Sequence, residues 1–260
     1  VVLIGTIYPI FLDVISSQKI SVGPPFYHKL IAPFLIPFLF AMAIGPRLKW
    51  IRSDLKDKIY LISLLIISIL ISFFIVKNFS TNILINTILI SSALYLFFIT
   101  LRDFFNKKYK NFAQNTAHFG FSLLILSILF NNLFSSEIIT NLKVGETYDN
   151  SKTKIVFESI NQKKEKNYKS IIANFNITNS EGINNNLSPE LRIYNQPNIT
   201  TSEADIKTTL MKDKFIVINL VQNQDYFNVR YQVKPFMLWI WLSVIMISLG
   251  GLVSFLQKRI

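Results

Sequence analysis

Residues 59–76 read IYLISLLIISILISFFIV, eighteen positions without a charged side chain, closed by Lys58 on one side and Lys77 on the other. At about 1.5 Å per residue, such a helix is about 27 Å long, close to the ~30 Å hydrocarbon layer of a bilayer. Its apolar residues lie on every side, so it offers no face to water. A membrane span is the reading that this stretch demands. Ile83 to Leu101, Ala117 to Phe134 and Phe236 to Leu256 are also free of charge and rich in Ile, Leu and Phe. Val1 to Ile15 reads as the end of a further span, with Pro9 and Asp13 near its exit. Tyr27 to Ile44 reads as another, interrupted by Pro33 and Pro37.

The loops between these stretches carry the orientation signal. Arg47, Lys49, Arg52, Lys56 and Lys58 crowd one loop, Arg102, Lys107, Lys108 and Lys110 a second, and Lys258 and Arg259 end the chain. Lys and Arg accumulate in short cytoplasmic loops, so these three segments are expected on the cytoplasmic side. The chain is 51% hydrophobic and 16% charged, with a net charge of +12, a mean hydropathy of +0.39 and a pI near 9.7. A basic soluble protein of that pI would suggest nucleic acid as a partner. Here the excess sits in the loops beside the spans, so the charge reports topology, membrane lipid is the expected surroundings, and no nucleic-acid partner is expected.

Alternation then puts Ser135 to Pro235 on the opposite side, with thirteen basic and eleven acidic residues. Its pattern changes to short alternating runs: Lys152 to Ser159, Tyr168 to Thr178, Glu190 to Tyr194, Asp205 to Leu210, Lys214 to Val221 and Phe227 to Val233. Period-two alternation bounded by Asn, Ser and Gly predicts β-strands. Asn179 to Ser188 with Gly182, Gln222 to Asp225, and Thr201 to Asp205 read as turns. The expected fold class is a polytopic α-helical membrane protein with an inserted, mainly antiparallel β extracytoplasmic domain of roughly six strands. Residues 1–134 would hold membrane helices, the first of them truncated. Residues 135–235 would form the β-rich domain, and 236–260 a final helix with a basic cytoplasmic tail.

The chemistry available is narrow. The chain has no cysteine, so any thiol chemistry involves a partner's sulfur. Of two histidines, His118 lies about one turn inside a span, in Gln114-Asn115-Thr116-Ala117-His118-Phe119-Gly120. An imidazole at that depth is costly unless paired or coordinated, which makes it the first functional candidate, the alternative being a hydrogen bond across a helix interface. Gln114, Asn115 and Ser122 fall at i−4, i−3 and i+4, where they could fix its tautomer. Gly120 would admit a flat ligand or another helix. His28, at the other end of a span, reads as an interfacial residue. The two histidines lie near opposite boundaries of the layer and cannot ligate one iron from both sides. Ser21 to Tyr27, containing Gly23, Pro24, Pro25 and Phe26, is a rigid turn whose structural role is helix entry and whose aromatic tip is a possible docking surface. Tyr226, Phe227, Tyr231, Phe236, Trp239 and Trp241 bracket the last span as an aromatic belt. A transporter or channel subunit, with helices broken at Pro33 and Pro37 lining its path, is the alternative from a different class.

Several segments in order resemble one family. Gly5-Thr6 with Tyr8-Pro9, Ser21-Val22-Gly23-Pro24-Pro25-Phe26, Gly45-Pro46, Ala117-His118-Phe119-Gly120, Glu203-Ala204-Asp205-Ile206, and Lys234-Pro235-Phe236 with Trp239-Ile240-Trp241 are similar to the C-terminal portion of the cytochrome c maturation haem lyase subunit, the CcmF/NrfE family. The resemblance implies that His118 is an axial ligand of a haem b in the membrane, with the second ligand upstream of this sequence. It implies a reaction in which haem from a membrane-anchored haem chaperone is joined to the thiols of apocytochrome c. The implied partners are those two, other cytochrome c maturation subunits, and the upstream half of the same protein or a split subunit. This stretch alone is not expected to be active. The implied location is the bacterial inner membrane, or the mitochondrial inner membrane for an organelle-encoded chain, with the large loop on the periplasmic or intermembrane-space side.

Overall fold

The computed structural model describes residues 2–16, 24–48, 58–80, 82–105, 112–180, 182–221 and 225–257. It divides into two compact units, Val1–Leu129 with Leu242–Ile260, and Phe130–Trp241. Most of the three basic segments, including Lys49 to Asp57, Lys107 to Lys110, Lys258 and Arg259, lies outside the described residues.

Six helices are described: α1 (Val2–Ser16), α2 (Pro24–Ile44), α3 (Lys58–Phe79), α4 (Ile83–Phe105), α5 (Phe112–Phe134) and α6 (Met237–Gln257). α2 to α6 are long and apolar enough to cross a membrane, while α1 is shorter. The protein is a multi-pass membrane protein. α2 runs unbroken through Pro33 and Pro37 and ends in a 3-10 turn at Gly45–Arg47. The expected interruption is therefore absent, because a helix in apolar surroundings tolerates a missing N–H rather than exposing a run of unpaired backbone.

Small residues set the helix contacts. Ser68 and Ser72 of α3 and Ser92 of α4 are fully buried. Ser68 Oγ donates to Leu64 O at 2.8 Å and Ser92 Oγ to Leu89 O at 2.8 Å, so each hydroxyl is satisfied within its own helix and acts as a small side chain. At the end of α2, Arg47 donates two bonds to the Asp103 carboxylate of α4, at 2.7 and 2.9 Å, and one to Ala43 O at 2.8 Å. Both side chains are nearly buried, at 10% and 13% exposure. The sequence reading treated these charges only as loop markers, and the fold makes them a tie between two spans. Arg102 stacks over Tyr60 of α3, 4.0 Å from its ring centre. α5 and α6 approach closely at glycines. A Cβ on Gly250 would lie 2.7 Å from Ala117 N and 2.8 Å from Ala113 O, and one on Gly120 would lie 3.0 Å from Ile247 N and Ser243 O.

The second unit is a ten-stranded β structure: β1 (Ser136–Leu142), β2 (Thr147–Asp149), β3 (Thr153–Lys164), β4 (Tyr168–Asn179), β5 (Asn184–Leu187), β6 (Glu190–Tyr194), β7 (Thr200–Glu203), β8 (Asp205–Thr208), β9 (Lys212–Leu220) and β10 (Phe227–Pro235). One sheet runs β1-β10-β9-β8, and the other β2-β3-β4-β6-β7 with β5 on β4; every pairing with a defined register is antiparallel. Ile155, Phe157, Phe175, Ile177 and Leu191 from one sheet meet Ile216, Ile218, Val229 and Tyr231 from the other in a single core. Phe157 and Phe175 stack at 4.4 Å between ring centres.

The expected six strands become ten, with β1, β2, β5 and β7 added, and the differences at β3, β5 and β7 have identifiable reasons. Strand β3 runs past Ser159 because a register shift between Phe157 and Ser159 moves the inward parity, so Ile160 rejoins the core after Glu158 is skipped. Alternation read along the sequence stops at that point. Asn184 to Leu187, expected within a turn, pairs with Thr178 to Phe175. The turn itself is tighter and rests on Gly182 at φ 73°, where a side chain would be strained. Thr201 to Asp205, also expected as a turn, is β7 and the start of β8. There Glu203 lies 3.7 Å from Arg192, and Asp205 accepts a bond from Ser188 N at 2.6 Å. Of the Gln222 to Asp225 turn, residues 222–224 lie outside the described residues. Burial pushes the Tyr231 phenol up to about 12.

Three outcomes follow from this packing. Gly250→Ala should lower stability by about 1–3 kcal/mol, since the atoms it meets are mostly backbone, whereas Gly251→Ala, which faces open space, should not; thermal unfolding in detergent compares them. Phe157→Ala should cost about 3–5 kcal/mol by denaturant titration. The Gln232 amide and the Arg230 guanidinium, both bonded to Glu137, hold its carboxyl below the usual carboxylate range. Its stabilising effect is complete above the ordinary value and is lost as pH falls through the lower folded value. Glu137→Gln should therefore flatten the acid limb of a stability-against-pH curve, and an unchanged limb would count against the bond.

Candidate functional site

The α4–α5 contact is built from aromatic rings and small hydroxyls. Phe119 stacks on Phe104 at 5.3 Å and packs against Phe97 at 5.6 Å. Ser122, fully buried, donates to Phe119 O at 2.8 Å and shares a 2.8 Å hydrogen bond with Thr100 of α4. One turn earlier, the Asn115 amide donates to Asp103 O at 3.1 Å, the same Asp103 whose carboxylate is held by Arg47. Asn115, Phe119 and Ser122 thus mark one face of α5, turned to α4. Ala113, Ala117 and Gly120 mark another, turned to α6.

His118 lies between these faces, about 100° from each of its chain neighbours. It is half-buried, and no hydrogen bond joins its ring to another of the described residues. Three positions on, Phe121 occupies the same flank and meets Phe38 of α2 edge-on at 5.9 Å. The imidazole is thereby presented on a side of α5 that neither α4 nor α6 occupies. No group of three or more His, Cys, Asp or Glu residues that could hold a metal exists among the described residues. Iron held here would take its other ligands from a porphyrin and from a second polypeptide segment. An imidazole within a span and without a hydrogen bond to the described residues could hold such a group through one ring nitrogen.

The residues expected around His118 have mixed fates. Asn115 and Ser122 are close in sequence but spend their polar groups on Asp103 and Thr100. Gln114 is exposed and engaged in an interaction of its own. Gly120 admits a helix, α6. Gly23 lies outside the described residues, and Pro24, Pro25 and Phe26 open α2, as does His28 one turn later. Thr100, Phe97, Phe104 and the Arg47–Asp103 tie were not singled out as a cluster. No local signal marks them, since their partners lie in other helices.

Two further concavities lie elsewhere. One, of about 430 Å³, is lined by Lys143, Val144, Ile160, Leu220, Asp225 and Phe227 at one end of the β sandwich. Lys143 there stands over the Tyr226 ring at 4.4 Å. The other, of about 260 Å³, is an apolar groove along α1, formed by Leu3, Ile7, Tyr8 and Phe11.

Comparison with known proteins bears on the whole chain. Residues 133–235 match the family described as the CcmF C-terminal beta-sandwich. Cytochrome c-type biogenesis protein CcmF of Pseudomonas fluorescens is 24% identical over 99% of this chain and 41% of its own length. The protein of that name from Escherichia coli is 24% identical over the full chain and 41% of its length. Cytochrome c-type biogenesis protein NrfE of Haemophilus influenzae is 24% identical over 98% of the chain and 41% of its length. A solved structure, Cytochrome c Heme Lyase CcmF, shares the fold with a TM-score of 0.73 at 19% identity, covering 97% of this chain and 42% of that one. The chain thus spans about two fifths of the length of its relatives. Helices and sandwich, matched in order from one end to the other, make this chain similar throughout its length to the C-terminal portion of CcmF and NrfE proteins, with the C-terminal beta-sandwich family matched over residues 133–235.

Proposed function

We propose that this chain acts in cytochrome c-type biogenesis as a haem-binding component of a membrane haem lyase, with His118 as one axial ligand of a haem b. The observation that carries the proposal is the half-buried imidazole on the flank of α5 turned to neither α4 nor α6, free of hydrogen bonds to the described residues, in a chain whose relatives are named for cytochrome c biogenesis. The second axial ligand would come from the upstream half of the same protein or from a split subunit.

The chain's own residues would do three things. His118 would supply a neutral ring nitrogen, which requires that the imidazole be unprotonated. Phe119, Ser122 and Asn115 would hold α5 in one rotational setting against α4, and so fix the direction in which that nitrogen points. Phe121 and Phe38 would keep water from the flank that His118 shares. A haem b bound there would supply one-electron redox chemistry. The reacting sulfurs would be those of apocytochrome c, since this chain has none of its own. Haem would arrive on a membrane-anchored chaperone, and other cytochrome c maturation subunits would complete the assembly. The location that fits is a bacterial or mitochondrial inner membrane, with the β unit on the periplasmic or intermembrane-space side. Pro24, Pro25 and Phe26 would contribute to docking there.

The test uses the chain copurified with the upstream portion of the family. The reduced complex should show a b-type absorption band, and His118→Ala should lower haem per protein by roughly tenfold or more, the loss of about 1.4 kcal/mol of binding or greater. Asn115→Ala and Ser122→Ala should retain the haem with a shifted reduction potential. A full haem content in His118→Ala would remove the ligand assignment.

A further inference from the structure

The turn between β8 and β9 is composed against the usual chemistry of turns. Thr209 N donates to Lys212 O at 3.1 Å and Thr209 Oγ1 accepts from Lys212 N at 3.2 Å, closing a four-residue turn with Leu210 and Met211 at its tip. Gly, Asn, Asp, Pro and Ser dominate such positions. Leu210 is instead 70% exposed and Met211 60% exposed. Two large apolar side chains held in water on a rigid tip would be a standing cost.

The tip is not free to fold away. Leu210 O accepts a bond from the Trp239 indole at 2.9 Å, and Met211 O accepts one from Phe236 N at 2.8 Å. Phe236 is held at φ 61° and packs its ring on Phe130 at 5.6 Å. The turn is thus bonded alongside the first turn of α6, whose membrane-spanning length begins at Met237. Leu210 lies level with a residue already inside that length. Trp241, 64% exposed, presents a second indole two residues further on, about half a helical turn away. Lys212 pairs across the strands with Pro235, next to Lys234, and Lys207 lies exposed on the neighbouring β8. Lysines on the strands that lead into an apolar tip, next to tryptophans at the start of a span, suit anionic headgroups over hydrocarbon.

We propose that the Leu210–Met211 turn is a lipid-inserted tip, which fastens the β unit to the bilayer surface beside α6. The occupant of this exposed apolar surface is the acyl-chain region of the membrane, continuous with the lipid around α6. The inference rests on the multi-pass membrane fold and does not depend on haem.

Because the chain has no cysteine, single thiols can be placed without background. Leu210→Cys, Met211→Cys and, as an aqueous reference, Asn150→Cys would each be spin-labelled in the full chain and reconstituted into vesicles of phosphatidylethanolamine and phosphatidylglycerol. Oxygen, which concentrates in hydrocarbon, should relax the labels at 210 and 211 more strongly than a water-soluble nickel chelate does. The order should reverse at 150, with a roughly tenfold or greater change in the ratio, because a polar solute is expelled from the acyl region. Correct folding of each variant would be checked by the fluorescence of Trp239 beside Leu210. Chelate access at 210 and 211 equal to that at 150 would overturn the proposal. Protection from both reagents would also overturn it, as that result denotes burial against protein.

Discussion

The close approach of α5 and α6 at two glycines constrains the helices on either side of the β unit. The β unit is an insertion between those two helices, so its first and last strands have to begin and end where the chain leaves and re-enters the membrane segments. Gly250 against Ala117, and Gly120 against Ser243 and Ile247, let the two backbones come nearly into contact. Without a hydrophobic drive between helices in lipid, such small-residue seams supply most of the attraction. In the β unit the same requirement is met independently. β1 and β10 pair antiparallel from Ser136 opposite Val233 to Leu142 opposite Phe227. At that junction Asn131 donates to Pro235 O at 2.6 Å. An inserted domain whose ends are already zipped together adds little entropy cost to the helices that carry it.

The same seam decides what α5 can offer chemically. One face is taken by α6 and another by the Phe97, Thr100 and Phe104 side of α4, and His118 and Phe121 lie on a third flank, where Phe121 meets Phe38 of α2. The polar residues near His118 stabilise the helix rather than the ring: Ser122 bonds Thr100 and Asn115 bonds the Asp103 backbone. Such an arrangement holds the imidazole by holding the whole helix. The buried Arg47–Asp103 pair extends this support to α2. Its charges are costly to bury and strongly coupled once buried, so removing either partner harms more than replacing both.

Much of the architecture was legible from residue order alone. Charge-free stretches of about the bilayer thickness announce themselves, because lipid admits only segments whose backbone bonds are all internal. Six of the ten strands follow from period-two alternation, and His118 stands out because ionisable groups at membrane depth are rare. The resemblance to the CcmF/NrfE family rested on several short motifs in a fixed order. Phe236, one member of those motifs, adopts a positive φ where β10 hands over to α6. A conformational demand of that kind gives no composition signal of its own.

What the linear order could not specify was every property created by distant partners. The bulge at Glu158 resets the parity of β3, and β5 forms from an Asn-rich run because β4 offers it a free edge. Thr201 to Asp205 becomes strand because Arg192 and Ser188 bind its carboxylates. Whether Gly120 faces a ligand or a helix, and whether Asn115 and Ser122 serve His118 or the neighbouring span, depended on which surfaces α4 and α6 occupy. Local sequence determines solvent preference and backbone period, since both are set within a few residues. The partner that satisfies a given side chain is chosen by packing across the chain, and only the tertiary structure holds that information.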